Sequence, residues 1–131
     1  MLESRWHSRA GQGAGTGAKG LADVISKTGK YVQAFAFYGS AKRGAAMTAY
    51  NRVDDEVVIN HEKFMNPDFV LVIDPALTYT DDITANEKDD TKYIITTHIF
   101  GEVFWYFCHR NFNFFMTEIL FVAKMKKCID R

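Results

Sequence analysis

The chain is short of cysteine and proline, with two of each in 131 residues, and it carries no excess charge. Cys108 and Cys128 stand apart with no CxxC or CxxH spacing, so they do not read as an iron–sulfur or zinc site. Reduced thiols of a cytoplasmic protein are the plain expectation. Sixteen basic side chains balance sixteen acidic ones, which argues against a nucleic-acid binder driven by phosphate attraction. No window holds the roughly 18 uninterrupted apolar residues of a membrane span. The nearest, 99–122, is broken by Glu102, His109, Arg110, Asn111, Asn113 and Glu118. Arg5, His7 and Arg9 interrupt the N-terminus where a signal peptide would be apolar. The expectation is therefore a cytoplasmic domain with no membrane or nucleic-acid partner.

Glycine is present but unevenly placed. Six of the nine glycines precede Lys30, and four of them fall in Gly11-Gln12-Gly13-Ala14-Gly15-Thr16-Gly17. A strand-like segment, Leu2–His7, runs into this turn, and Ala14–Lys27 follows as a helix with an apolar stripe of Ala18, Leu21, Ala22 and Ile25. Gly29 stands where a C-terminal cap belongs. Tyr31–Phe37 alternates as a second strand. These elements spell a βαβ unit with parallel strands and a right-handed crossover. Gly15 and Gly17 should each weaken the helix by up to about 1 kcal/mol relative to alanine.

Further on, Ala46–Val53 reads as a strand, with Glu56–Asn60 a candidate hairpin partner. Phe69–Pro75 is a near-continuous apolar run of the kind buried in parallel sheets. Residues 81–90 read as polar surface, and Tyr93–Thr97 as a short strand. Nine of the nineteen aromatics lie beyond residue 98, in runs such as Phe104-Trp105-Tyr106-Phe107. This shift divides the chain into an α/β domain over 1–98 and an aromatic-rich tail over 99–131. The expected class is α/β, Rossmann-like, with a mostly parallel sheet that is incomplete on its C-terminal side.

The glycine turn reads in two ways. As an anion cradle it would use Arg9, Gly11, Gln12, Gly13 and Thr16, with Lys19 adding charge and the helix N–H groups facing the ligand. As a plain turn it would only let strand and helix pack closely. Thr16 stands where a dinucleotide-binding turn would carry its third glycine, which speaks against NAD. The loop Tyr38-Gly39-Ser40-Ala41-Lys42-Arg43-Gly44 reads either as a solvated basic loop or as a contact for phosphates or a partner's carboxylates. His7, His61, His98 and His109 are scattered, and each reads as a surface or satisfied histidine. Asp74 ends a strand, as a cap or as part of a strand-end site.

The chain resembles the gamma subunit of 2-oxoacid:acceptor oxidoreductases over about residues 5–97. The matching pieces are Arg5-Trp6-His7, then Gly11-Gln12-Gly13-Ala14 with Thr16 and Lys19, and Gly29-Lys30-Tyr31-Val32-Gln33-Ala34-Phe35. Tyr38-Gly39-Ser40-Ala41-Lys42-Arg43-Gly44-Ala45, Ala49-Tyr50-Asn51-Arg52-Val53, Pro67-Asp68-Phe69 and Ile73-Asp74-Pro75 follow in the same order. It departs at Ala10, at Gly15 and at Ala36-Phe37. The resemblance implies a subunit of a pyruvate (2-oxoacid):ferredoxin or flavodoxin oxidoreductase, working with alpha, beta and delta-type chains. That complex uses thiamine diphosphate, magnesium, [4Fe–4S] clusters and coenzyme A to form acetyl-CoA and carbon dioxide. The resemblance further implies that this chain is a scaffold near coenzyme A and that it binds none of the redox centres. Tyr38, Lys42, Arg43 and Gly44 become subunit-interface candidates. The alternatives are a stand-alone nucleotide- or phosphate-binding module, and a truncated relic with an out-of-frame tail. An intact in-frame gene ending in this tail would contradict the relic.

Overall fold

The structure is a computed structural model that describes residues 1–39, 44–59 and 66–96, together with the backbone of two later strands. The elements are β1 (Leu2–Arg9), α1 (Ala14–Ser26), β2 (Tyr31–Tyr38), β3 (Ala46–Asp54), β4 (Phe69–Val72), α2 (Leu77–Thr80), β5 (Lys92–Thr96), β6 (Phe112–Thr117) and β7 (Leu120–Met125). They form one sheet in the order β2-β3-β1-β4-β5-β7-β6. Lys42 and Arg43 and the histidines at 61, 98 and 109 lie outside the described residues, as do both cysteines. No helix among the described residues is long and apolar enough to cross a membrane.

The α/β class holds, and the sheet is mixed. β1–β4 and β4–β5 pair parallel, whereas β3 runs antiparallel to both β1 and β2. β1 and β2 are thus parallel to each other, as a βαβ unit requires, but β3 is inserted between them. The sequence pattern predicted the two parallel strands but not the strand between them, because a local pattern does not say which strand fills the gap. β3 uses both its edges, so it has no place for 56–60 as a hairpin partner. Residues 56–59 form no strand, with Val57 and Ile59 exposed, and Asn60 lies outside the described residues. β7 pairs antiparallel with β5, and β6 with β7, which continues the sheet into the region read as a tail.

Helix α1 covers one face of the sheet through very small residues. Ala14, Ala18, Met47 and Ala49 are buried together, with Trp6, Ala36 and Ile73 packed around them. The stripe therefore starts one turn earlier than the periodicity implied, and Leu21 stands partly exposed. Gly15 and Gly17 are contact points rather than weak links. A Cβ on Gly17 would lie 3.2 Å from the Trp6 ring, and one on Gly15 would lie 3.3 Å from the Tyr38 hydroxyl. Asn51 pins the helix from below, its Nδ2 donating to the Ala18 carbonyl at 2.7 Å.

The opposite face is covered by the segment after β4. Residues 81–90 are not simply surface, because Ile83 and Thr84 are buried. Arg5, itself buried, holds this segment by donating from Nη2 to the carbonyls of Ile83 (2.9 Å) and Ala85 (3.2 Å). Tyr93 donates to Glu87 from the neighbouring strand. Across β3, Arg52 pairs with Glu3 at 2.9 Å and lies over the Phe35 ring, which stacks on Tyr50.

Replacing Arg5 with alanine should strip one buried and one partly buried carbonyl of a charged donor. A loss of about 3 kcal/mol is expected from the bonds to a charged group alone. A urea midpoint close to that of the unsubstituted chain would contradict the role given to Arg5.

Candidate functional site

The parallel strands end on one side of the sheet, and their connections leave on opposite faces. The chain goes from β1 through α1 on one face to β2, and from β4 through α2 on the other face to β5. Between β1 and β4 the strand order therefore reverses, and open α/β sheets form ligand crevices at such points. Here that point is occupied by a clasp. Arg9, the last residue of β1, sets its Nε 2.9 Å from Asp74 Oδ2, just beyond β4. Gln12 Nε2 donates to the same oxygen at 3.0 Å, and the Ala76 N–H donates to Asp74 Oδ1 at 3.0 Å.

The same residues fold the glycine turn. The Arg9 N–H donates to Gln12 Oε1 at 2.7 Å, while the Gln12 N–H donates back to the Arg9 carbonyl at 3.1 Å. Gly11 and Gly13 sit at φ +96° and +89°, where an L side chain is strained. Gly13 is the N-cap of α1 without a side-chain cap, so the first helical N–H groups face outward. The turn is also sewn to the next loop: the Ala10 N–H donates to the Ala45 carbonyl at 2.8 Å, and Arg9 Nη1 to the Gly44 carbonyl at 3.3 Å.

Desolvation of Asp74 favours its neutral form, but the donors Gln12, Ala76 N–H and Arg9 outweigh it and hold the carboxyl below the usual carboxylate range. At neutral pH the clasp is thus an ion pair reinforced by hydrogen bonds. Arg9 is engaged within the fold, not presented as an open phosphate hook. Thr16 and Lys19 lie exposed along α1.

A cavity of about 220 Å³ opens beside the turn, lined by Gly11, Gly13, Gly15, Thr16, Tyr38 and Met47. Two sequence motifs that stand apart in the chain, the glycine turn and Tyr38, thus meet in one place. Gly44 joins them through its carbonyl on Arg9. Lys42 and Arg43, the remaining interface candidates, lie outside the described residues. The residue that sequence reasoning left without a partner is Asp74. Its position after a buried strand, at the same sheet end as Arg9, was the available signal.

His7 departs from the surface or satisfied histidine expected. It is 6% exposed, and its Nε2 has no hydrogen-bond partner among the described residues. Burial lowers its pKa to about 4, with the neighbouring Arg5 charge adding to the effect. Among the described residues, no group of three or more His, Cys, Asp or Glu is placed to hold a metal.

The sequence model of the pyruvate ferredoxin/flavodoxin oxidoreductase family matches residues 3–123. The chain is similar to the pyruvate/ketoisovalerate oxidoreductases common subunit gamma of Thermococcus kodakarensis, 47% identical over 97 residues that make up 74% of this chain and 52% of that protein. It is also similar to the pyruvate synthase subunit PorC of Methanothermobacter thermautotrophicus, at 44% identity over 72% of this chain and 53% of the relative. Among solved structures, it resembles the crystal structure of pyruvate oxidoreductase subunit PORC from Thermotoga maritima, with a TM-score of 0.65 and 42% identity over 77% of this chain and 52% of that one. The chain spans about half the length of the curated relatives it matches.

The His7 environment makes a pH prediction. The folded pKa lies below the unfolded value of about 6.5, so the unfolded chain takes up the proton first. The stability due to neutral His7 is complete above pH 6.5 and is lost as pH falls towards 4. The loss over that window is about 3 kcal/mol at 1.36 kcal/mol per pH unit. A His7→Phe variant should flatten this part of the unfolding profile; an unchanged slope would contradict a buried, neutral His7.

Proposed function

The chain belongs to the pyruvate ferredoxin/flavodoxin oxidoreductase family, and on that premise we propose that it serves as the gamma-type subunit of a cytoplasmic 2-oxoacid:ferredoxin or flavodoxin oxidoreductase. The observation that carries this reading is the family match over residues 3–123, which includes the clasped glycine turn. The complex would decarboxylate pyruvate oxidatively with coenzyme A, giving acetyl-CoA and carbon dioxide. Thiamine diphosphate, magnesium and the [4Fe–4S] clusters are assigned to partner chains of alpha, beta and delta type.

This chain's part is to build and position a surface. The outward N–H groups at the start of α1 and the open backbone at Gly11 and Gly13 suit a phosphate of coenzyme A, with Thr16 adding a hydroxyl. A Cβ on either glycine would meet no neighbour, so the room there is free for a ligand's oxygens. Coenzyme A supplies the thiol that accepts the acyl group, and this chain's residues hold only its charged end. Arg9 and Asp74 keep the turn in shape, and Tyr38 walls the cavity. Tyr38, Lys42, Arg43 and Gly44 are assigned to the contact with a partner chain.

The test is affinity capture of the full chain from cells that make the other subunits. Alpha, beta and delta-type chains should co-purify, and the captured complex should reduce ferredoxin or flavodoxin only with both pyruvate and coenzyme A. The chain alone should be inactive. Capture without those subunits, or pyruvate oxidation by the chain alone, would contradict the proposal.

A further inference from the structure

The outer edge of the sheet at β2 has a composition that edge strands seldom carry. Among the described residues, β2 is terminal in the strand order, with β3 on its inner side. Over eight residues, Tyr-Val-Gln-Ala-Phe-Ala-Phe-Tyr, it contains no charge and no proline. Edge strands usually discourage further pairing with such residues, because their outer N–H and C=O groups form a ready template for another strand. Lys30, just before the strand, is taken up by Asp55 at 2.6 Å.

The strand's side chains are also self-matching. Val32, Ala34, Ala36 and Tyr38 lie on the α1 face, since Ala36 packs against the Ala14 and Ala18 cluster. Tyr31, Gln33, Phe35 and Phe37 lie on the other face, where Phe35 and Phe37 pack with Tyr50 at centroid distances of 5.2 and 5.8 Å. Tyr31 (49% exposed) and Phe37 (37% exposed) are the two large side chains that this second face leaves open. They sit near opposite ends of the strand, with alanine at its middle.

We propose that β2 is a dimerisation edge, and that its occupant is β2 of a second copy of this chain, paired antiparallel about a two-fold axis at Ala34. Opposed residues in an antiparallel pair share a face, so the register must place a residue opposite itself. Centring on Ala34 sets Tyr31 against the partner's Phe37, Gln33 against its Phe35, and Val32 against its Ala36. Each exposed aromatic of one copy then covers that of the other. The small side chains at 34 and 36 leave room where the two α1 helices come side by side. An uncharged strand offers nothing to a charged partner and no repulsion to its own copy, and an isologous contact of this kind closes. This pairing would form whether or not the chain serves as a gamma-type subunit.

Light scattering on the purified full-length chain, over a dilution series, reads the outcome directly. The unsubstituted chain should be a dimer that dissociates on dilution. In Tyr31→Lys/Phe37→Lys, like charges meet at both paired positions, and the chain should be monomeric. In Tyr31→Lys/Phe37→Glu, opposite charges meet at the same positions, and the dimer should return. Circular dichroism checks that both variants fold. If either fails to fold, Tyr31→Lys alone, at a half-exposed position, should raise the dissociation constant by about two- to thirtyfold, the loss of two cross-strand aromatic pairs. A chain that stays monomeric at its highest soluble concentration would overturn the proposal. So would a dimer indifferent to the paired lysines, equal loss of dimer in both folded double variants, or a Tyr31→Lys constant equal to that of the parent.

Discussion

Much of the molecule turns on one carboxylate. Asp74 gathers Arg9, Gln12 and the Ala76 N–H, and in doing so ties the end of β1 to the end of β4 where the sheet changes direction. Without it, a crevice would open beyond the carboxyl ends of these two paired strands. Because Gln12 also exchanges hydrogen bonds with the Arg9 backbone, the same contact sets the glycine turn and therefore the start of α1. The ion pair and the backbone conformation are one unit, and they fail or hold together.

What the turn starts, small residues complete. Ala14, Ala18 and Ala49 let helix and sheet approach closely, and the absence of a Cβ at Gly15 and Gly17 admits the Tyr38 hydroxyl and the Trp6 ring. Helix propensity is given up at those glycines for contact, a trade in which packing outweighs the intrinsic preference. On the other face, Arg5 holds down a segment that is polar in sequence and partly buried in fact. Each face thus relies on strand β1, whose alternate side chains address α1 on one side and the loop after β4 on the other.

The positions of β1, α1, β2, β3, β4 and β5 were legible in the sequence because each carries its own period or its own glycine boundary. Their neighbours were not. Nothing local in Ala46–Asp54 says that it slots between β1 and β2, since that choice is made by side chains meeting across the sheet. The turn was legible as a candidate site from its glycines, and Tyr38 from its glycine-flanked loop. That Arg9 belongs to Asp74, 65 residues away, was not, because a charge in sequence carries no address. His7 was misjudged for a related reason: periodicity marks a face, but the depth of that face depends on the loop that covers it.

Amide hydrogen exchange across residues 10–17, compared between the natural chain and an Asp74→Ala variant, tests the central claim most directly. With the carboxylate gone, the amides of Ala10, Gln12 and Gly17, each bonded within or beside the turn, should exchange faster, while the paired amides of β2 and β3 keep their protection. Unchanged exchange over residues 10–17 would show that the turn holds its shape without Asp74, and would contradict the account.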